Sequence, residues 1–133
     1  MSDKPVVAER LVDDFLSLVR ISSPSRREAE VARWLTGTLS GMGVRVDVDD
    51  AGERISGDTG NVFAQFPGTV PDAPPLLLCA HMDTVVPCEK ITPVRDGDVI
   101  RTDGTSVLGG DDKAGVAAIL EAVRIVRERN IPH

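Results

Sequence analysis

The chain has 133 residues, enough for one domain that buries about two thirds of the surface its unfolded form exposes. Fifteen Lys and Arg against 21 Asp and Glu give a formal net charge of -6, and no basic run offsets it. Such a surface repels phosphate backbones, which argues against a nucleic-acid partner. No stretch reaches the roughly 18 apolar residues of a membrane span, and Met1-Ser2-Asp3-Lys4-Pro5 has no apolar segment behind a basic start. Neither secretion nor membrane attachment is indicated, so the cytoplasm is the default compartment. Cys79, inside an apolar run, reads as a small buried hydrophobe. A disulfide with Cys88 is disfavoured because nothing else points to an oxidising compartment.

In chain order, the first expected element is a helix over residues 6–19. Leu11, Val12, Phe15, Leu16, Leu18 and Val19 recur at three- and four-residue spacing and form one apolar face. Ser22-Ser23-Pro24 ends it, since proline disfavours helical geometry in the residue before it. Ser25-Arg26-Arg27-Glu28 has the pattern of a capping box. It predicts a second helix with Val31, Ala32, Leu35 and Leu39 facing inward and Gly41 and Gly43 at its end. Residues 44–48 alternate as a half-buried strand does.

Gly57-Asp58-Thr59-Gly60 is turn chemistry ahead of a strand over residues 61–66. After a proline-rich loop, Leu76-Leu77-Leu78-Cys79-Ala80 does not alternate and reads as a strand buried on both faces in the middle of a sheet. Residues 94–100 predict a hairpin turning at Asp96-Gly97. The last helix, over residues 113–129, is apolar nearly all round. Lys113, Glu121, Arg124 and Glu128 form its narrow polar stripe, and arginines crowd its end, matching the helix dipole. Helix, strand and helix in this order predict a layered α/β domain.

Two places combine rare polar residues with special backbone needs. His81 follows the expected buried strand, where open α/β sheets bind ligands. Asp83, two residues on, can accept the proton of one ring nitrogen and make the other a better metal ligand. A satisfied loop or core histidine is the plainer reading and stands beside this one. The second place is Leu108-Gly109-Gly110-Asp111-Asp112-Lys113-Ala114-Gly115. A capping aspartate accounts for one carboxylate there. Two adjacent carboxylates beside an apolar helix call for compensation, which a bound cation would supply. A phosphate loop is the weaker reading, because aspartates would repel the phosphate and the Walker spacing is absent.

Ala80-His81-Met82-Asp83-Thr84-Val85-Val86-Pro87 together with the Gly109-Gly110-Asp111-Asp112 segment resembles two signatures of the zinc exopeptidases related to peptidase T. That superfamily also contains carboxypeptidase G-type enzymes, aminoacylases and desuccinylases. Gly110 stands where peptidase T relatives often have alanine. The resemblance implies the layered helix–sheet–helix catalytic domain of a zinc exopeptidase, with residues 1–133 as its N-terminal part. It also implies a site with two zinc ions and hydrolysis of short peptides. His81 and Asp111 would be metal ligands, Asp111 bridging both ions across a cis bond to Asp112. Asp83 would be the catalytic residue that orients His81, while Asp112 and Lys113 start the helix. The general base, further ligands and the lid domain through which relatives form homodimers have no counterpart in this sequence. The chain alone is therefore expected to bind zinc weakly and to be inactive. His133 is read as the residue before a next strand and not as a ligand. Two other readings remain: a deacylase of N-acyl amino acids built on the same site, and a non-catalytic metal-binding module.

Overall fold

A computed structural model describes residues 6–133; Met1-Ser2-Asp3-Lys4-Pro5, read above for a targeting signal, lie outside the described residues. The element order is α1 (Ala8–Val19), α2 (Ala29–Gly41), β1 (Arg45–Val48), α3 (Ala51–Arg54), β2 (Val62–Gln65), β3 (Pro93–Asp96), β4 (Val99–Thr102) and α4 (Gly110–Glu128). The protein is thus a mixed α/β chain. Its core is helical. Phe15, Leu18 and Val19 of α1, Val31, Leu35 and Leu39 of α2, and Val116, Ala117 and Leu120 of α4 form one buried cluster. Each trio repeats at the spacing that puts side chains on one helical face.

Helix α1 begins two residues later than its apolar pattern suggested, at Ala8, and α2 begins at Ala29. The capping box at Ser25 does not form. Glu28 Oε1 instead accepts the backbone N–H of Arg26 at 2.7 Å, and the exposed N–H of Ala29 is met by Asp58 Oδ1 at 3.0 Å. A carboxylate distant in sequence outcompetes the local serine because the 57–60 turn delivers it to the helix start. Gly43, at φ 71°, ends α2 as expected.

Strands β1 and β2 pair antiparallel, with Val46 opposite Ala64, and β3 pairs with β4, with Asp96 opposite Val99. That register makes Gly97 and Asp98 the two loop residues, one position later than the sequence suggested. Gly97 takes the left-handed φ of 60° that a two-residue hairpin loop demands at its first position.

The expected buried central strand over residues 76–80 is not present. Among the described residues the only sheets are the two antiparallel pairs, and neither includes this run. Leu76 and Leu77 are each 84% exposed and Leu78 is 49% exposed. An extended run buries both faces only where strands flank it and layers cover it; here no strand pairs with it. Cys79 is accordingly exposed and not buried, while Cys88 is buried; both thiols are free. The downstream end of the run is better anchored, since Ala80 and Met82 pack against the helical core.

Helix α4 also differs from its expected disposition. Most of its polar stripe turns inward, and only Glu128 at its end stays exposed. Lys113 and Glu121 are buried, and Arg124 pairs with the buried Asp14 of α1. The alanines at 114, 118 and 122 take the exposed side. Ion pairs to α1, absent from any single-helix pattern, accompany the burial of Val116, Ala117 and Leu120 on the inward side.

Candidate metal centre

The loop between α1 and α2 holds both polar segments in place. Ser23, fully buried, donates its hydroxyl to the Met82 carbonyl at 2.9 Å, and its own carbonyl accepts the N–H of Thr84 at 2.8 Å. Pro24 and Thr84 form an isolated parallel bridge at the same point. Ser25 donates its hydroxyl to Asp83 Oδ2 in a short hydrogen bond. From the other side, Lys113 Nζ donates to the Ile21 carbonyl at 2.6 Å. One loop therefore anchors the strap that carries His81 and the helix that carries Asp111.

Gly109 makes the approach of the two segments geometrically feasible. It has φ 72°, and a Cβ there would come within 2.8 Å of the Thr84 methyl. Only glycine both accepts this conformation and leaves room for Thr84. The chain then passes through a cis peptide bond between Asp111 and Asp112, as the resemblance implied, before regular helix begins. Asp112 Oδ1 accepts the N–H of Gly115 at 3.1 Å and so works as a helix-start residue.

His81 lies between two acidic neighbours. Its Nδ1 is 2.9 Å from the Asp83 carbonyl and 3.1 Å from Asp83 Oδ1. Both are acceptors, so Nδ1 carries a proton and donates. Its Nε2 is 3.1 Å from Asp111 Oδ1, and that carboxylate is otherwise open to solvent. Partial burial lowers the affinity of His81 for a second proton. The Asp83 carbonyl, the Asp111 carboxylate and the charges of both aspartates outweigh it and raise the pKa above the usual histidine value. Lys113 behaves in the opposite way: burial pushes its ammonium down to about 8, only partly offset by Cys88.

His81 Nε2 and Asp111 Oδ1 are two electron-pair donors facing each other, and something positive must lie between them. A proton fills that role in the histidinium form. The separation is also close to that of two ligands sharing a zinc ion. Imidazole nitrogen and carboxylate oxygen are both zinc donors, and two ligands of a tetrahedral ion at about 2.0–2.1 Å lie roughly 3.3 Å apart. The pair accounts for two ligand positions only. Among the described residues no group of three or more His, Cys, Asp or Glu gathers to hold an ion. His133 engages Thr69, whose Oγ1 accepts the His133 N–H at 2.9 Å, and has no contact with His81.

The structure thus brings His81, Asp83 and Asp111 together across 30 residues of chain. Sequence reasoning missed Ser23, read only as part of the segment that ends the first helix, and Ser25, whose hydroxyl it assigned to a capping box. A run of Ser-Ser-Pro-Ser marks a loop, but nothing local shows that the loop will meet residues 82–84.

No family model matches the chain. Individual relatives do. The chain is 40% identical over 125 residues to the protein YqjE of Bacillus subtilis, covering 94% of this chain and 33% of that protein. It is 36% identical over 124 residues to a peptidase T of Aeromonas hydrophila, covering 69% of this chain and 28% of that protein. Among solved structures, it superposes on an aminopeptidase PepT from Bacillus cereus with a TM-score of 0.94 and 39% identity. That match covers 98% of this chain and 35% of the other. A tripeptidase from Staphylococcus aureus gives a TM-score of 0.91 at 35% identity, covering 98% of this chain and 35% of the other. The chain spans about a third of the length of these relatives.

Proposed function

This chain is peptidase T-like in sequence and in fold, and from that premise we propose that it serves metal-dependent hydrolysis of a peptide bond in short peptides. The observation that carries the reading is the 3.1 Å approach of His81 Nε2 to Asp111 Oδ1, with Nδ1 of the same ring turned onto Asp83. His81 and Asp111 hold the metal, zinc in this reading, and Asp83 fixes the tautomer that frees Nε2 for it. Bound zinc would polarise a scissile carbonyl and lower the pKa of an attached water.

The chain's own residues do the rest. Asp83 keeps the Nδ1 proton in place. Ser23 and Lys113 hold the two ligand-bearing segments at a fixed separation. The exposed carboxylate of Asp111 leaves one side of the pair open to a second ion, a water and a peptide. Two ligands are too few for a catalytic zinc site, which uses three from protein. The 133-residue chain by itself is therefore a weak zinc binder without peptidase activity. Its compartment in this reading is the cytoplasm, in keeping with two free thiols, one of them exposed.

The test is calorimetric zinc titration of the chain alongside His81→Ala and Asp111→Ala, with a tripeptide hydrolysis assay. Weak binding that both substitutions abolish is the expected result. Zinc affinity unchanged by either substitution would overturn the reading, and tripeptide hydrolysis by the chain alone would overturn its incompleteness.

A further inference from the structure

We infer that Ser25 is a positioning residue for the candidate metal centre, acting on His81 through the Asp83 carboxylate; the inference rests on the functional reading just given.

The backbone around Ser25 is fixed from several sides. Residues 24–27 form a turn closed by the Arg27 N–H donating to the Pro24 carbonyl at 2.9 Å. Arg26, the third residue of the turn, has φ 72°, the sign that a type II turn requires there. The Arg26 carbonyl accepts the N–H of Asp58 at 3.2 Å, which ties the turn to the 57–60 loop. Ser23, immediately upstream, is buried and bonded to both Met82 and Thr84. Ser25 is thereby held in register with Asp83, although it is itself exposed.

The carboxylate of Asp83 is then engaged at both oxygens. Oδ2 accepts the Ser25 hydroxyl and Oδ1 faces His81 Nδ1. A terminal carboxylate torsion is broad and roughly two-fold, so without a second anchor Oδ1 would leave the ring. His81 Nδ1 would keep its hydrogen bond to the Asp83 carbonyl at 2.9 Å and lose the nearby Oδ1 charge at 3.1 Å, which favours the Nδ1 proton. The line Ser25–Asp83–His81–Asp111 therefore runs from an α1–α2 turn to the open end of the centre. A hydroxyl at its far end sets how well Nε2 donates.

The experiment uses the metal-free 133-residue chain, labelled with nitrogen-15, as parent, Ser25→Ala and Ser25→Thr. The parent is expected to show a downfield His81 Nδ1–H resonance protected from exchange. Ser25→Ala is expected to shift it upfield and speed its exchange with water, and Ser25→Thr to restore the parent signal. Zinc Kd, measured in parallel, should rise roughly threefold to tenfold in Ser25→Ala and return in Ser25→Thr, since groups behind a ligand typically tune affinity by 10–100-fold and Ser25 stands one step further back. A parent without the protected resonance, or a Ser25→Ala chain whose resonance is unchanged in shift and exchange, overturns the inference. The two readings fail separately. A resonance that depends on Ser25 in a chain that does not bind zinc refutes the metal centre and leaves the positioning role. Zinc binding with a resonance indifferent to Ser25 does the reverse.

Discussion

Arg10 on α1 grips Glu121 on α4 with two nitrogens, Nε to Oε2 at 2.7 Å and Nη2 to Oε1 at 3.1 Å, and holds Glu128 about two turns further along the same face. The Glu121 side chain is only 2% exposed, and its Oε1 also accepts the N–H of Val7 at 2.9 Å. This cluster joins the inward face of α4 to α1.

Removing Arg10 should therefore cost more than an ordinary surface substitution. Arg10→Met leaves a buried carboxylate without its cation, and breaking a buried pair in this way costs about 3 kcal/mol. Glu128→Ala, at the exposed end of the same cluster, should cost less than about 1 kcal/mol. Urea denaturation of both variants measures the difference, and equal losses would show that burial of Glu121 is not what matters.

The same cluster makes stability depend on acid. Burial pushes the Glu121 pKa up, but the Arg10 bond, the Val7 N–H and the charges of Arg10 and Arg124 override it and hold it below the usual glutamate value. A carboxyl whose pKa is lower folded than unfolded stabilises the fold above the unfolded value of about 4.3. That contribution is lost as the pH falls through the folded value. The stability gap between the parent chain and Glu121→Gln should be full at neutral pH and shrink below about pH 4. A gap that stays constant on acidification would contradict the assignment.

Gly109→Ala should be destabilising by about 1–3 kcal/mol, because it forces a side chain into left-handed geometry and against the Thr84 methyl. Combining it with Thr84→Ser removes the methyl but not the backbone penalty, so the double variant should recover only part of the loss. Thermal unfolding of the singles and the double measures both components. Full recovery would mean that the clash alone matters.

Lysine at positions 76 and 77 should leave unfolding free energy within about 0.5 kcal/mol of the parent, since neither leucine is covered. The same pair should reduce self-association seen by light scattering, because an unpaired apolar strap is a template for association. A loss of several kcal/mol would show that the leucines are packed in solution.

Helices α1, α2 and α4 and, to within one position, the β3–β4 hairpin were readable from sequence because their information is local, whereas the one-turn α3 was not foreseen. Phe15, Leu18 and Val19 repeat on one face whatever surrounds them, and Gly97 dictates its own turn. The leucines at 76–78 were misread because an apolar run specifies burial only if something is available to bury it, and that is not written in the run. Asp58 displaced Ser25 and Glu28 at the start of α2 for a similar reason: a cap is a competition, and the winner came from 29 residues away. In the centre itself, His81, Asp83 and Asp111 were identifiable as rare polar residues at special backbone positions. Their meeting at 3.1 Å was implied only by the family resemblance and by no local pattern, since it depends on Lys113 and Ser23 reaching the loop between α1 and α2.

That loop also sets when the centre can exist during folding. Its ties to the ligand-bearing segments close spans of 59 residues from Ser23 to Met82, 58 from Ser25 to Asp83 and 92 from Ile21 to Lys113. Closing loops of that length costs entropy before any contact repays it, and contacts so distant in sequence form slowly. The helices can form from nearest-neighbour contacts alone. The pairing of His81 with Asp111 must wait for the long-range topology, so the ion affinity proposed above would be acquired in the closing stage of assembly and would report that these segments have come together.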